Sequence, residues 1–408
     1  MSSTSQRSQE DPADDFSNTK VTILASEWES SNREIATFSK QLAVQLAKIP
    51  KLEITTFLIT CSEKDRKEAL RNNVKIVEAK RRPGFDKSIW LNFPPEHLQM
   101  DVIIGHGVEL GRQAQIIKES KKCIWVQVVY TDPDEQNMFK SGANPTVKGQ
   151  ENLRTEIELC EMADLVVGVG PKLCEAFRTY LRHCKTNQDV VDFTPGIFAE
   201  FKTVTQSLDE RKYCNILVFA GCADEDDFEI KGFDIACKAV SKLSDTRLMF
   251  AGLPEALNEK LEHKVIECGV SRRCLRVRRS VQTQEELKKL FHEVDVVLMP
   301  SRSDGFGFTC LEALSAGVPV LASKNTGFGE ALSKLPFGSS FVIASEDPKV
   351  WATAITKVRV TDRQSRLEEA ERLRISYEKK YDWAKQTRDL RDKIVSMVQH
   401  GMTFELLS

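Results

Sequence analysis

The chain has 408 residues, with 58 Lys and Arg against 60 Asp and Glu, a formal net charge of -2. It is 41% hydrophobic and 29% charged, which gives apolar mass for two cores and no global field toward nucleic acid or an anionic membrane. No apolar run approaches the roughly 18 residues of a spanning helix, and 11 cysteines without a Cys-x-x-Cys pair or zinc-type spacing read as reduced thiols of a cytoplasmic protein.

Residues 1–19 are rich in Ser, Asp and Glu and lack the apolar core of a signal peptide, so they read as a disordered tail. Apolar, β-branched runs at 21–25, 52–59, 74–79, 101–105, 124–129 and 165–169 then read as buried strands. Amphipathic stretches lie between several of them, the first with Ile35, Phe38, Leu42, Leu46 and Ile49 on one face. A Thr194-Pro-Gly-Ile-Phe198 turn and a polar linker over 201–213 follow. The alternation restarts with strands at 216–220, 247–251, 275–277 and 294–299. A charged helical tail begins near Pro348, with Trp351, Ile355, Trp383 and Leu390 as packing residues. Near-continuous apolar strands alternating with helices predict parallel sheets covered on both faces. The expected units are residues 20–200, then 214–380, each doubly wound and facing a cleft, with 381–408 as a terminal helix.

The most informative stretch is Met299-Pro-Ser-Arg-Ser-Asp304-Gly305-Phe306-Gly307-Phe-Thr309-Cys-Leu-Glu312, which runs from a strand through a glycine loop into a helix. Such a turn can aim backbone N–H groups and the positive end of a helix at an anion. Asp304 alone is an ordinary turn former, and Thr309-x-x-Glu312 also fits a capping box. Lys231, at a helix start, opposes the helix dipole unless an anion is its partner. It follows an acidic run, Asp224-Glu-Asp-Asp227, that lacks the spacing of a calcium loop. Arg272, Arg273, Arg276, Arg278 and Arg279 cluster around a short strand, with no interleaved aromatics of a nucleic-acid surface. His106, in Gly105-His-Gly107, ends a strand and so stands at the edge where ligands collect.

Taken together and in order, these residues resemble glycosyltransferase family 4, the group 1 transferases of GT-B fold. The likeness runs through Leu217-Val-Phe-Ala-Gly221, Lys231-Gly232, Leu248-Met-Phe-Ala-Gly252, Val294 to Ser301, Asp304 to Ala313, Ala316 to Ser323 and Thr326-Gly-Phe-Gly-Glu330. It is looser in the first half, through Asp101 to His106, Ala163 to Val167 and Thr194-Pro-Gly196. The resemblance implies two Rossmann-like domains and a retaining, metal-independent transfer of a hexose-type sugar from a nucleotide-diphosphate sugar, with a UDP-sugar expected. The acceptor stays open among glycan, lipid and small molecule; nucleic acid is not expected as a partner. By that likeness Glu312 contacts the donor ribose, Asp304 the sugar hydroxyls and Lys231 the diphosphate, with His106 near the transferred sugar. Gly305, Phe306, Gly307, Thr326, Arg279 and Val281 line the donor pocket, and the backbone N–H groups of Gly327 and Phe328 meet phosphate or sugar.

Three positions depart from the family pattern. Its first glutamate is Asp304; the arginine after Gly221 is Cys222; and its glycine-rich first loop is Glu27-Trp-Glu-Ser-Ser-Asn32. Arg279 or Arg302 is the expected compensation for the lost arginine. These departures leave a rival reading, a GT-B-like module that binds or senses a nucleotide sugar without efficient turnover, and a weaker one, a sugar-nucleotide epimerase.

Overall fold

The computed structural model describes residues 18–29, 33–132, 147–219, 227–253, 258–279, 281 and 283–407. Cys222 and the acidic positions 224–226 lie outside the described residues. The first sheet holds β1 (Thr19–Ala25), β2 (Leu52–Leu58), β3 (Val74–Glu78), β4 (Val102–His106), β5 (Ile124–Val129), β6 (Leu165–Val169) and β7 (Val190–Phe193). Its order is β3-β2-β1-β4-β5-β6-β7. The second holds β8 (Cys214–Phe219), β9 (Thr246–Leu253), β10 (Leu275–Arg279), β11 (Val296–Met299), β12 (Val320–Ser323) and β13 (Val342–Ile343), in the order β10-β9-β8-β11-β12-β13.

Neighbouring strands pair in parallel throughout. β4, β6, β11 and β12 are buried along their whole length, as strands with helices on both faces must be. Both sheets are therefore doubly wound, as the alternating pattern predicts. In each, the strand order reverses once, between β1 and β4 and between β8 and β11. At such a reversal the crossovers part to opposite faces and leave a crevice beyond the carboxyl ends. β7 and β13 escape the sequence reading because β7 is four residues with Asp192 inside it and β13 is only two residues.

The halves do not merely face each other; they share a core. Phe38 and Phe193 of the first half, Phe306 and Phe308 of the second, and Trp383 of the tail belong to one buried apolar cluster. The Arg363–Lys380 helix stays with the second half, where Arg363 pairs with buried Asp295 and the Arg374 guanidinium donates to the Ser315 carbonyl. The chain then turns at Tyr381 and Asp382. The Trp383–Leu407 helix lies on the first half, with Gln386 Oε1 accepting from Thr194 N at 2.7 Å and Trp383 5.5 Å from the Phe193 ring. No helix among the described residues is long and apolar enough to cross a membrane.

Candidate functional site

The site is built where the strand orders reverse. In the second half, Lys231 follows β8 and Asp304 follows β11, so they converge from adjacent strand ends. Gly232 makes the approach possible: it has φ +66°, and an added Cβ would stand 2.1 Å from the Pro300 carbonyl oxygen. Lys231 Nζ lies 3.1 Å from Asp304 Oδ2, which also accepts from Ser301 Oγ at 3.2 Å. Asp304 is buried and Lys231 half-buried, so this ion pair is poorly screened.

The glycine loop is pinned from both sides. Asp304 forms a parallel bridge with Thr326. Gly305 O then accepts from Gly327 N at 2.8 Å, and Phe306 O from Phe328 N at 2.6 Å. The two N–H groups expected to meet phosphate or sugar thus already donate to the carbonyls of the glycine loop. Thr326 is likewise committed: it caps the Gly327–Ser333 helix by accepting from Gly329 N at 3.0 Å, and its hydroxyl donates to Ser323 O. Phe306 and Phe328 are fully buried rings, 6.2 Å apart, and Phe306 occupies the space a Gly170 side chain would need. Both rings pack at the seam between the halves. Gly305 meets the first half by backbone, since a Cβ there would stand 1.8 Å from the Tyr130 carbonyl oxygen.

Glu312 loses its bland explanation. The Phe308–Ser315 helix takes Gly307 as its N-cap, at φ +93°, with no side-chain cap. Thr309 is therefore inside the helix, and the Thr309/Glu312 capping box does not form. Glu312 is a buried carboxylate in the second turn, placed there for a reason other than ending the helix.

Arg302 is engaged with carboxylates of its own half. Arg302 grips Asp234 with two hydrogen bonds, 2.7 and 3.0 Å, and reaches Glu346 at 2.9 Å. Arg279 closes β10, two strands from β8, or roughly 10 Å at ordinary strand spacing. Val281, beyond it, packs against the shared core. The start of the first loop is no glycine turn: Trp28 is buried, and Lys40 pairs with Glu68 at 2.8 Å and Glu29 at 3.6 Å.

In the first half, His106 ends β4 and is buried, and its Nδ1 lies 2.7 Å from the Tyr130 hydroxyl. Its Nε2 is buried without a hydrogen-bond partner, and burial pulls the imidazole down to about 3. The ring is neutral at physiological pH. Burial also keeps the Tyr130 phenol protonated by pushing it well above its usual range.

Sequence reasoning missed Glu34. It stands in the first turn of the Arg33–Leu46 helix, directly after β1. One turn on, Phe38 packs 5.6 Å from Tyr130 and 6.2 Å from Phe308 of the other half. That contact turns the helix start toward the second half. Burial, and then the neighbouring Asp304, push the Glu34 carboxyl up to about 7, with Lys231 pulling the other way. The available signal was its place after β1, the strand beside the reversal point; the looseness of the family likeness there hid it.

The model of the family described as "Family 4 Glycosyltransferase in conflict systems" matches residues 22–390. The chain belongs to that family. It is 25% identical over 334 residues to the D-inositol 3-phosphate glycosyltransferase of Corynebacterium urealyticum, a match covering 76% of each chain. It is 30% identical over 171 residues to the protein of that name from Mycobacterium marinum, which covers 41% of this chain and 34% of the relative. Among solved structures, the sucrose-phosphate synthase of Thermosynechococcus elongatus superposes with TM-score 0.68 at 14% identity, covering 96% of this chain and all of that one (100%). Anabaena HepE in complex with UDP and glucose gives TM-score 0.69 at 13% identity, over 93% and 100% of the two chains. At such identities the structural likeness establishes the GT-B fold.

Proposed function

We propose that the protein is a retaining glycosyltransferase that moves a hexose-type sugar from a UDP-sugar to an acceptor hydroxyl. The observation that carries this reading is the Lys231–Asp304 pair at the reversal point of the second sheet, faced by Glu34 from the first. Donor binding exchanges partners. The diphosphate takes Lys231, and Asp304, released, accepts hydrogen bonds from the sugar hydroxyls. Glu312 does the same for the ribose. With the Tyr130 hydroxyl donating to Nδ1, His106 carries its hydrogen on Nε2 and offers it to an oxygen of the transferred sugar. That donor is neutral, so it binds the sugar without competing for the diphosphate.

In the transfer, the bond from the anomeric carbon to the diphosphate oxygen breaks as the acceptor oxygen bonds to the same carbon on the same face. The acceptor proton passes to the departing diphosphate. Charge grows on that diphosphate, so Lys231 acts where stabilisation matters most. Titration with UDP-glucose, followed by product anomer analysis by NMR, tests the reading. Binding together with a retained anomer supports it; an inverted product, or turnover indifferent to Lys231→Ala and Glu312→Ala, overturns it. The commitment of Arg302 to Asp234 and Glu346 favours one second reading, a module that binds nucleotide sugar with little turnover. Binding with no product under acceptor screening separates the two.

A further inference from the structure

Among the described residues, three metal-ligating side chains of different chemistry meet at one point: Glu161, His183 and Cys184. A carboxylate oxygen, an imidazole nitrogen and a sulfur there all lie within 4.8 Å of one another. Sequence spacing gives no sign of this, because Glu161 and His183 are 22 positions apart. The fold joins them. Glu161 stands in the last turn of the Val147–Met162 helix, which leads into β6. His183 and Cys184 lie in the turn behind the Pro171–Tyr180 helix, on the way to β7. β6 and β7 are parallel neighbours, so both stretches stand at the amino-terminal edge of the first sheet. Glu34 and His106 stand at the opposite edge, after β1 and at the end of β4.

The surrounding backbone holds the three in place. Cys184 N and Lys185 N both donate to Leu181 O, at 3.0 and 2.9 Å, which fixes the turn. Lys185 Nζ donates to Ala163 O at 2.5 Å and so ties the turn to the chain just past Glu161. His183 Nε2 lies 3.0 Å from Glu161 Oε1. Zinc binds carboxylate, imidazole and thiolate at about 2.0–2.3 Å, which in a tetrahedron separates the ligand atoms by roughly 3.3–3.6 Å. A closure of about 1 Å therefore completes the set. Glu161 is half-buried, and His183 and Cys184 are exposed, so water can reach the fourth position. The neighbouring Cys160 is buried, and burial, then Glu156, pushes its thiol well above the usual range, so it stays protonated and does not compete. Oxygen, nitrogen and sulfur together suit zinc, whereas magnesium and calcium take oxygen ligands.

We propose that Glu161, His183 and Cys184 form a zinc site, completed by water, that ties two crossovers of the first sheet together at its amino-terminal edge. On binding, zinc takes the place of the hydrogen between His183 Nε2 and Glu161. The imidazole keeps its hydrogen on Nδ1, and the Cys184 thiol releases its proton to solvent. The ligands come from separate segments, so zinc favours the folded chain over the unfolded one. The site does not depend on the glycosyltransferase reading.

Cobalt and zinc titrations of the full chain, stripped of metal by chelator dialysis and kept reduced with a phosphine, test this. Cobalt is expected to give a thiolate-to-metal band with the intense visible bands of a tetrahedral site, and zinc to abolish them at one equivalent. Cys184→Ser and His183→Ala change exposed side chains. Each is expected to weaken zinc binding by at least about tenfold, since losing a ligand costs no less than losing a ligand's hydrogen-bond partner. Competition with a chromophoric chelator reads that loss. Cys61→Ser, which removes a thiol elsewhere, is expected to leave zinc affinity unaltered. Zinc should also raise the Tm of the parent chain and leave that of Cys184→Ser unmoved. Octahedral cobalt spectra without a thiolate band, or zinc affinity that survives Cys184→Ser, overturn the proposal. So does loss of binding in Cys61→Ser, which would place the metal at another thiol.

Discussion

The two sheets present opposite kinds of edge. At the second, the chemistry sits close together in sequence: Ser301, Asp304 and Glu312 fall on one loop and one helix, and the neighbouring carbonyls and N–H groups bind one another. At the first, Glu34, His106 and Tyr130 come from three separate crossovers. The contrast is between a rigid, pre-assembled holder and a surface composed from scattered parts. Rigidity suits a constant ligand such as a nucleotide sugar, since preorganised groups cost nothing at the moment of reaction. A composed surface suits a partner that varies.

The largest expected effect tests the holder. Lys231→Ala removes the cation opposite the departing diphosphate and leaves Asp304 buried without its ion pair. We expect kcat/KM with UDP-glucose to fall by roughly 10²–10³-fold, as loss of a charge-stabilising donor does elsewhere. A drop of less than tenfold would place the diphosphate away from this pair. Next comes the joint between the edges. Gly305→Ala puts a methyl group on the Tyr130 carbonyl, and a displacement of about 1 Å between the halves costs on the order of 10²-fold in rate. Kinetics beside small-angle scattering would show whether both change together; lost activity at unchanged shape would mean that the loop alone had moved.

A smaller effect probes the composed edge. Tyr130→Phe strips the partner from a buried His106 nitrogen, for about 1–3 kcal/mol of stability, read by chemical denaturation. An unchanged midpoint would show that the His106–Tyr130 contact contributes nothing to the fold. The smallest concerns Glu34 and pH. An unfolded glutamate titrates near about 4.3, and the folded one near about 7. The folded state holds that proton more tightly, so stability falls as pH rises through this window and stays lower above it. Glu34→Gln should remove the Glu34 share of that fall, while Glu156, pushed up to about 8 by burial and then by Asp132, keeps its own share. UDP-glucose affinity should weaken as Glu34 ionises and become flatter with pH in Glu34→Gln. A parallel slope in parent and variant would remove Glu34 from the donor's surroundings.

The sequence made the second edge readable because Ser301, Asp304 and Glu312 are neighbours in the chain and its strands are continuous apolar runs, although Lys231 comes from a separate crossover. What it concealed was who answers whom. The Gly327 and Phe328 N–H groups look available until Gly305 and Phe306 carbonyls arrive from a distant loop. Arg302 looks like a spare cation until Asp234 and Glu346 close on it. Thr309 and Glu312 have capping-box spacing, yet the helix start is fixed by the left-handed turn at Gly307, a matter of backbone that spacing does not encode. Glu34 carries no local mark at all; its altered proton affinity comes from burial and from Asp304, about 270 positions away in the chain.

The contact between Gly305 and the Tyr130 carbonyl has a bearing on how such a molecule can change. Main chain meets main chain there, so the approach of the halves at this point is not written in any side chain. Substitutions elsewhere can widen that gap but cannot reduce it, because there is nothing left at the joint to trim. The span between donor and acceptor has a floor set by peptide geometry. New acceptors then have to be accommodated sideways, along the strand ends, rather than by drawing the two halves closer.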